Sequence, residues 1–456
     1  MAAQSVVREA GMFERWHIVR SKLGVLGAVI ISGRYTREDG SILDKASLYA
    51  ALAKVTQKHG FLNVRVVGED TPTPAYARLD AVNLDEVVRF VEGELREVLE
   101  SETAKGFDTS KPLWRVLVLK DGNVLFSFHH TIGDGQSGMA FHQTLLEALN
   151  DTEHPSPYSA IVAAPPEIQL LPPIEKAVDL NVPFFHLLYR VFQMLLPGPL
   201  TYAHYAWTGY PSPPEAKIAG RTRLLYYKPE AAHRILQVCR AHKASLTSLL
   251  HALATLVISE QLAEDPATAG KYRYIATTIP ISLRPAAKAP KDAMCNYVST
   301  LSSFPALIKR APSSEAKSWL REFPWESASE LTQTLRRQQT ESPETVGMLK
   351  YVSDYEGYLK GKLGKKRGVT FEISNVGKFS GGKAAEGARW QLDDVYFSQS
   401  NPSTSGAINI NVAGDPAGGI GISVTWGEGA IDDTFGDAFF AALQEGLEEI
   451  IHHDIA

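Results

Sequence analysis

From Ser47 to Lys58 the apolar residues Leu48, Ala51, Leu52 and Val55 recur three or four positions apart, the spacing of one face of an amphipathic helix. The run from Leu84 to Leu99 repeats it. Leu84, Val87, Val88, Val91, Leu95 and Val98 form an apolar stripe with Glu92, Arg96 and Glu100 opposite, which predicts a second helix. Strand-like runs lie around them at Asn63 to Val67, at Arg115 to Leu119 and, past the Asp121-Gly122 turn, at Asn123 to Phe128. The apolar stretch Leu23 to Ile31 contains two glycines and falls well short of the ~20 residues needed to span a bilayer. It predicts a buried strand.

A second mixed region begins at Arg221. It predicts a strand to Tyr227, a helix opened by Pro229 and running to His242, a long helix from Leu246 to Gln261, and a strand from Tyr274 to Ile281. Further strands are expected at Val369 to Ser374, Gln391 to Phe397, Ala407 to Ala413 and Ile420 to Trp426, with a closing helix from Thr434 to His452. Between the two regions, Asp151 to Pro214 holds 12 of the 26 prolines. Proline fixes φ and removes a donor, so this stretch cannot supply a central strand. It reads as an interdomain crossover. Within it, Phe184 to Leu196 is apolar nearly all round, interrupted only by His186, Arg190 and Gln193. A short helix packed on both sides is the expected reading; the lip of a hydrophobic channel and a membrane-surface contact are the alternatives. The expected organisation is an α/β protein with an N-terminal lobe over 1–160, a crossover over 161–216 and a C-terminal lobe over 217–456. Each lobe is a mixed sheet flanked by helices, with a cleft between them where ligand sites tend to form.

Length agrees with two lobes, because 456 residues exceed the ~250 to 300 at which single cores stop growing. Forty-six Lys and Arg against 51 Asp and Glu give a net charge of −5, which argues against a nucleic-acid partner. Cys239 and Cys295 cannot build a disulfide framework, or a four-ligand zinc site without extensive help from His and carboxylates, so a reducing compartment is expected. The first 16 residues carry Glu9 and Glu14 and no apolar signal-peptide core. A cytoplasmic, monomeric protein without a transmembrane span is the expectation.

The chemistry is concentrated in Phe126-Ser-Phe-His129-His130-Thr-Ile-Gly-Asp134-Gly135-Gln-Ser-Gly138, at a strand end just before a helix. Such a loop displays side chains into a cleft while rigid elements hold it. A neutral imidazole with an ordinary pKa near ~6.5 suits removal of a proton from an alcohol or amine, and His130, further into the turn, is the candidate base. His129 and His130 sit side by side on a strand and face opposite ways, so they make poor joint metal ligands, and no metal is expected. Asp134, grouped with His130 as a candidate catalytic residue, either orients the imidazole or forms a structural ion pair. Gly133 and Gly135 are expected to supply a sharp bend. With no Gly-x-Ser-x-Gly elbow nearby, a covalent serine mechanism is disfavoured, and the histidine must activate a substrate group.

His129-His130-Thr-Ile-Gly-Asp134-Gly135 resembles the HHxxxDG motif of the CoA-dependent acyltransferase superfamily, which includes chloramphenicol acetyltransferase, plant BAHD acyltransferases, peptide-synthetase condensation domains and fungal alcohol acetyltransferases. Met12-Phe-Glu-Arg-Trp16, Leu171-Pro-Pro173 with Glu175, Thr247 to Ala252, Ile281 to Pro285, Asn296-Tyr297-Val298 and Ser374-Asn375-Val376-Gly377 are most similar to the fungal branch. The plant Asp-Phe-Gly-Trp-Gly signature is absent, Trp426-Gly427 being all that is kept. The resemblance implies two chloramphenicol-acetyltransferase-like lobes and acyl transfer, with acetyl the expected group, from acyl-CoA to a hydroxyl of a secondary metabolite. It also implies His130 as general base, Asp134 paired with Arg284, and His129 and Gly135 as support. Ser374 and Asn375 are the candidates for shaping the site or holding the oxyanion. Acyl-CoA would be a co-substrate, with no tightly bound cofactor. Lys360, Lys362, Lys365, Lys366 and Arg367 form a basic cluster suited to CoA phosphates or to an acidic carrier protein, against the reading of a solvated loop. Carrier-protein-dependent condensation or polyketide release, and a non-acylating ligand-binding or rearrangement protein on the same fold, are the competing functions.

Overall fold

The computed structural model describes residues 5–37, 39–151, 158–310, 318–341, 344–379, 389–401 and 403–452. In chain order, its main elements are helix α1 (Met12–Lys22), strand β1 (Val29–Arg37), helix α2 (Lys45–Lys58), strand β2 (Val88–Val91), helix α3 (Leu95–Thr103), strands β3 (Trp114–Leu119) and β4 (Asn123–Phe128), and helix α4 (Gly135–Asn150). The crossover carries α5 (Phe184–Leu195) and leads to β5 (Gly220–Tyr227), α6 (Pro229–Ala241), α7 (Leu246–Glu264), β6 (Thr277–Ser282), β7 (Val298–Ser303) and α8 (Trp325–Glu341). Strands β8 (Phe371–Lys378), β9 (Trp390–Gln399), β10 (Ile408–Gly414) and β11 (Ile420–Gly427) then precede α9 (Asp433–His452).

Two mixed sheets organise these elements. The first has the order β9-β1-β4-β3-β2, the second β5-β11-β10-β8-β6-β7. Helices α2 and α4 pack on the first sheet around Phe126, Phe141 and Trp114; the rings of Phe126 and Phe141 stack at 3.7 Å. Helix α7 is buried almost all round in the second core, with α6 and α9 beside it. By length and composition α7 is the one described helix that could cross a membrane, and 72% of its apolar window is buried inside the protein. That burial accounts for an apolar helix without a bilayer.

Some expectations need correction. Leu84 to Leu99 is not one helix: a single turn at Leu84–Val87 gives way to β2, parallel to β3, and α3 starts only at Leu95. The stripe at Val87, Val88 and Val91 consists of β-branched residues that pack well on a pleated surface, and Gly93, at φ 121°, ends the strand before the second helix. The crossover helix α5 is not packed on both sides. Phe184, Phe185, Leu188, Tyr189, Val191, Phe192 and Leu195 are all exposed. Within 217–456, β9 crosses to pair antiparallel with β1 at the edge of the first sheet, from Trp390 opposite Arg37 to Gln399 opposite Val29.

The strand β9 also closes the cleft. It lies against β11 of the second sheet so tightly that a Cβ on Gly421 would meet the Val395 carbonyl oxygen at 2.0 Å. Ser423 Oγ donates to the Phe397 carbonyl at 2.6 Å across the same seam. The two sheets therefore meet edge to face with backbone nearly touching, and the space left beside this seam is the site.

Candidate functional site

The loop after β4 turns into α4 through a reciprocal cap. Asp134 Oδ1 accepts from the Ser137 amide at 3.1 Å, and the Asp134 amide donates to Ser137 Oγ at 3.2 Å. The other carboxylate oxygen, Oδ2, accepts from Arg284 Nη1 at 2.5 Å and from the Tyr297 amide at 3.3 Å. Arg284 continues to Ser137 Oγ at 3.2 Å and the Cys295 carbonyl at 3.4 Å, and the Asp134 amide reaches that same carbonyl at 3.1 Å. Both charges are buried, and each is paired and hydrogen-bonded as buried charges must be. Asp134 thus ties the motif loop to the second lobe and makes no hydrogen bond to His130; the orienting role is not what the geometry gives it. The glycines also act differently from the expectation of a bend. Neither has positive φ; at Gly135 a Cβ would meet Val376 Cγ1 at 2.3 Å, so the residue allows the close approach of β8.

The two histidines follow the end of β4 instead of sitting on the strand as expected, and they face different surroundings. His129 is buried, and its Nδ1 accepts from the Thr131 amide at 3.0 Å. His130 faces a cavity of about 120 Å³ between the lobes, which Ser374, Phe397 and Gln399 also line. Its carbonyl accepts from Asn296 Nδ2 at 2.5 Å, and that amide lies 3.5 Å from ring Nδ1. The His17 ring stacks on it at 3.8 Å with an interplanar angle of 16°. Burial chiefly, with the nearby Arg20 charge, lowers the His130 pKa to about 4, while the carbonyls of His130 and Gly133 and the Asp134 charge oppose the shift. The imidazole is neutral at pH 7.

Helix α1 supplies the other wall. Phe13, His17 and Arg20 fall on one face three and four residues apart and all line the cavity. The start of the helix is fixed by Glu14, which takes two hydrogen bonds from Arg8 at 2.7 Å each, and by Glu175 of the crossover, which accepts from the Met12 amide at 2.7 Å. His17, Arg20 and Glu372 were not singled out by the sequence, and Asn296 entered only as part of a triplet without a role. His17 follows directly on the motif that ends at Trp16, and Asn296 opens the Asn296-Tyr297-Val298 triplet, so a signal lay beside two of them.

The remaining candidates separate. Ser374 lines the cavity, whereas Asn375, on the opposite face of β8, donates to Thr247 Oγ1 at 3.1 Å and accepts from the Gly377 amide at 2.9 Å. Asn375 is a strand residue beside an irregularity in the β8–β10 register, and it does not line the cavity as an oxyanion donor would. None of the basic cluster lines this cavity. Lys360 pairs with Glu356 at 2.7 Å, and Lys362 lies over the Tyr358 ring. Lys366 donates to the carbonyls of Ala203 and His204, and the buried Arg367 donates to those of Tyr210 and Ser403. Lys366 and Arg367 therefore clamp the crossover and are not free for a donor's phosphates; Lys365 is exposed beside them. Among the described residues, no group of three or more His, Cys, Asp or Glu is placed to hold a metal ion.

Known proteins share this arrangement at the level of chain and fold. A probable alcohol acetyltransferase, crmB, of Aspergillus fumigatus is 27% identical over 93% of this chain and 96% of its own. Another, FCK4 of Fusarium pseudograminearum, is 24% identical over 84% and 81%. Among solved structures, the TRI3 trichothecene 15-O-acetyltransferase of Fusarium sporotrichioides superposes with a TM-score of 0.69 at 14% identity, covering 97% of this chain and 94% of that one. The condensation domain of the Monacolin K polyketide synthase MokA gives 0.63 at 11% identity over 98% of both. These likenesses establish the two-lobed fold. The alcohol acetyltransferase family profile matches residues 86–446, a span that holds the His130 loop, Arg284 and the strand that bridges the two lobes, and the chain belongs to that family of acyltransferases, which act on an alcohol.

Proposed function

We propose that the protein transfers an acyl group, acetyl or another short chain, from acyl-CoA directly to a hydroxyl of a secondary-metabolite alcohol held in the interlobe cavity. The observation that carries this is the His130 imidazole: neutral, facing the cavity, and locked between Asn296 and the His17 ring. The backbone carbonyls of His130 and Gly133 favour a proton on one ring nitrogen, leaving the other to accept the alcohol's proton as its oxygen attacks the thioester carbonyl. The C–O bond forms, the carbonyl π pair moves to oxygen, and Ser374 Oγ is the wall hydroxyl suited to meet that oxyanion. Collapse of the tetrahedral intermediate breaks the C–S bond, and the imidazolium returns its proton to the departing sulfur. No covalent enzyme intermediate is needed.

The likeness to a trichothecene 15-O-acetyltransferase and the family match support the reaction class and the acceptor class. A His130→Ala protein should unfold at an unchanged temperature and lose ~10²- to 10⁴-fold in acetyl-CoA-dependent transfer. Full turnover by that variant in a thiol-release assay would refute the base assignment.

A further inference from the structure

The cavity wall also holds polar groups that the reaction at His130 does not use. Arg20 reaches the wall from α1 with its guanidinium 5.9 Å over the Trp16 ring, and it has no hydrogen bond or ion pair to any described residue. Glu372, on β8, enters the same wall and accepts one hydrogen bond, from Gln399 Nε2 at 2.9 Å. Each sits within the other's field without ion-pair contact: burial lowers the Arg20 pKa to about 10 against the pull of Glu372, and burial raises that of Glu372 against Gln399 and Arg20. Asn409, 1% exposed, lines the same cavity, and its Nδ2 has no partner. His17, 2% exposed, has no partner on either ring nitrogen. A buried polar group left unsatisfied is destabilising, and Asn409 and His17 line the same space as Arg20 and Glu372.

The chemistry of that space defines its ligand. A carboxylate would meet the charge of Glu372, and an ammonium would meet that of Arg20. An alkyl group would leave all of them unpaired. A hydroxyl satisfies both sides, donating to Glu372 while accepting from Arg20 or Asn409. We propose that Arg20, Glu372 and Asn409 form a subsite for a second hydroxyl of the acceptor, so that the acylated alcohol is a diol or polyol. This rests on the assignment of the nearby His130 as the base for acyl transfer.

The test compares 1-octanol with 1,2-octanediol, using acetyl-CoA, in the wild type, Glu372→Gln and Arg20→Met. The wild type should favour the diol in kcat/KM by about 10-fold or more, and each variant should bring that ratio toward one. A ratio unchanged in both variants overturns the subsite. So does a rise confined to the KM for acetyl-CoA, since the pantetheine amides can also donate and accept. Saturation-transfer NMR of the two alcohols on His130→Ala protein reads the subsite without turnover: tighter diol binding that vanishes in His130→Ala/Glu372→Gln supports it, and equal binding of both alcohols overturns it. Diol-selective binding with no acyl transfer to any alcohol in the wild type would sustain the subsite and reject the reaction.

Discussion

The proton affinity of His130 sets the lower end of the working pH range. Its ordinary value is near ~6.5, and burial together with the Arg20 charge holds it at about 4. The acidic limb of kcat/KM should therefore fall near pH 4 to 5, and Arg20→Met, which removes a positive charge that disfavours imidazolium, should move it upward; a pH profile of both proteins measures the shift. Asp134 calls for a different outcome. Asp134→Asn leaves the buried Arg284 without its countercharge, and breaking a buried pair from one side typically costs ~3 to 5 kcal/mol. Activity and thermal stability should fall together in Asp134→Asn, in contrast to His130→Ala, as differential scanning calorimetry of both would show. At this scale the motif loop was legible because its residues are contiguous. Glu372 and Asn409 were not, because a charged or amide residue inside a strand gives no sign of facing a cavity until its neighbours in the sheet are known.

At the scale of elements, the apolar pattern located most helices and strands of the second region to within a few residues, since α7, β10 and β11 each pair a long apolar run with near-complete burial. It failed at Leu84 to Leu99, where a stripe at helical spacing is overridden by pairing with the parallel partner β3. It failed again at α5, whose composition says buried while its faces are exposed. Because Phe185 and Leu195 are about four-fifths exposed, Phe185→Ser and Leu195→Ser should each change unfolding free energy by less than ~0.5 kcal/mol, and chemical denaturation measures it. The seam between β9 and β11 should behave in the opposite way. Gly421→Ala must displace the Val395 carbonyl, so backbone has to move, and the variant should lose more than ~2 kcal/mol along with much of its acyl transfer.

Across the whole molecule, several histidines are folded away uncharged. Burial lowers His59, His142 and His251 to about 4 and His129 to about 3. Each has a folded pKa below its unfolded one, so the unfolded chain takes up protons first as pH falls. The stability these groups contribute is present above ~6.5 and is lost progressively toward pH 4. Melting temperatures should drop steeply between pH 6.5 and 4.5 with little change from 7 to 8, and calorimetry across that range would expose a flat profile if the burial were wrong. The two-lobed architecture was legible from two patterned regions flanking a proline-rich stretch. That the lobes share a strand was not, because Gln391 to Phe397 reads as any strand and nothing local names its partner.

That shared strand governs how the protein must be made. The free edge of Val29–Arg37 is a row of unpaired amides and carbonyls until Trp390–Gln399 docks on it, and exposed edges recruit other chains. A growing polypeptide therefore carries a sticky, unfinished first lobe through most of its translation. Its completion is a late event, and any premature stop before Trp390 releases a product bound for aggregation or for the chaperones.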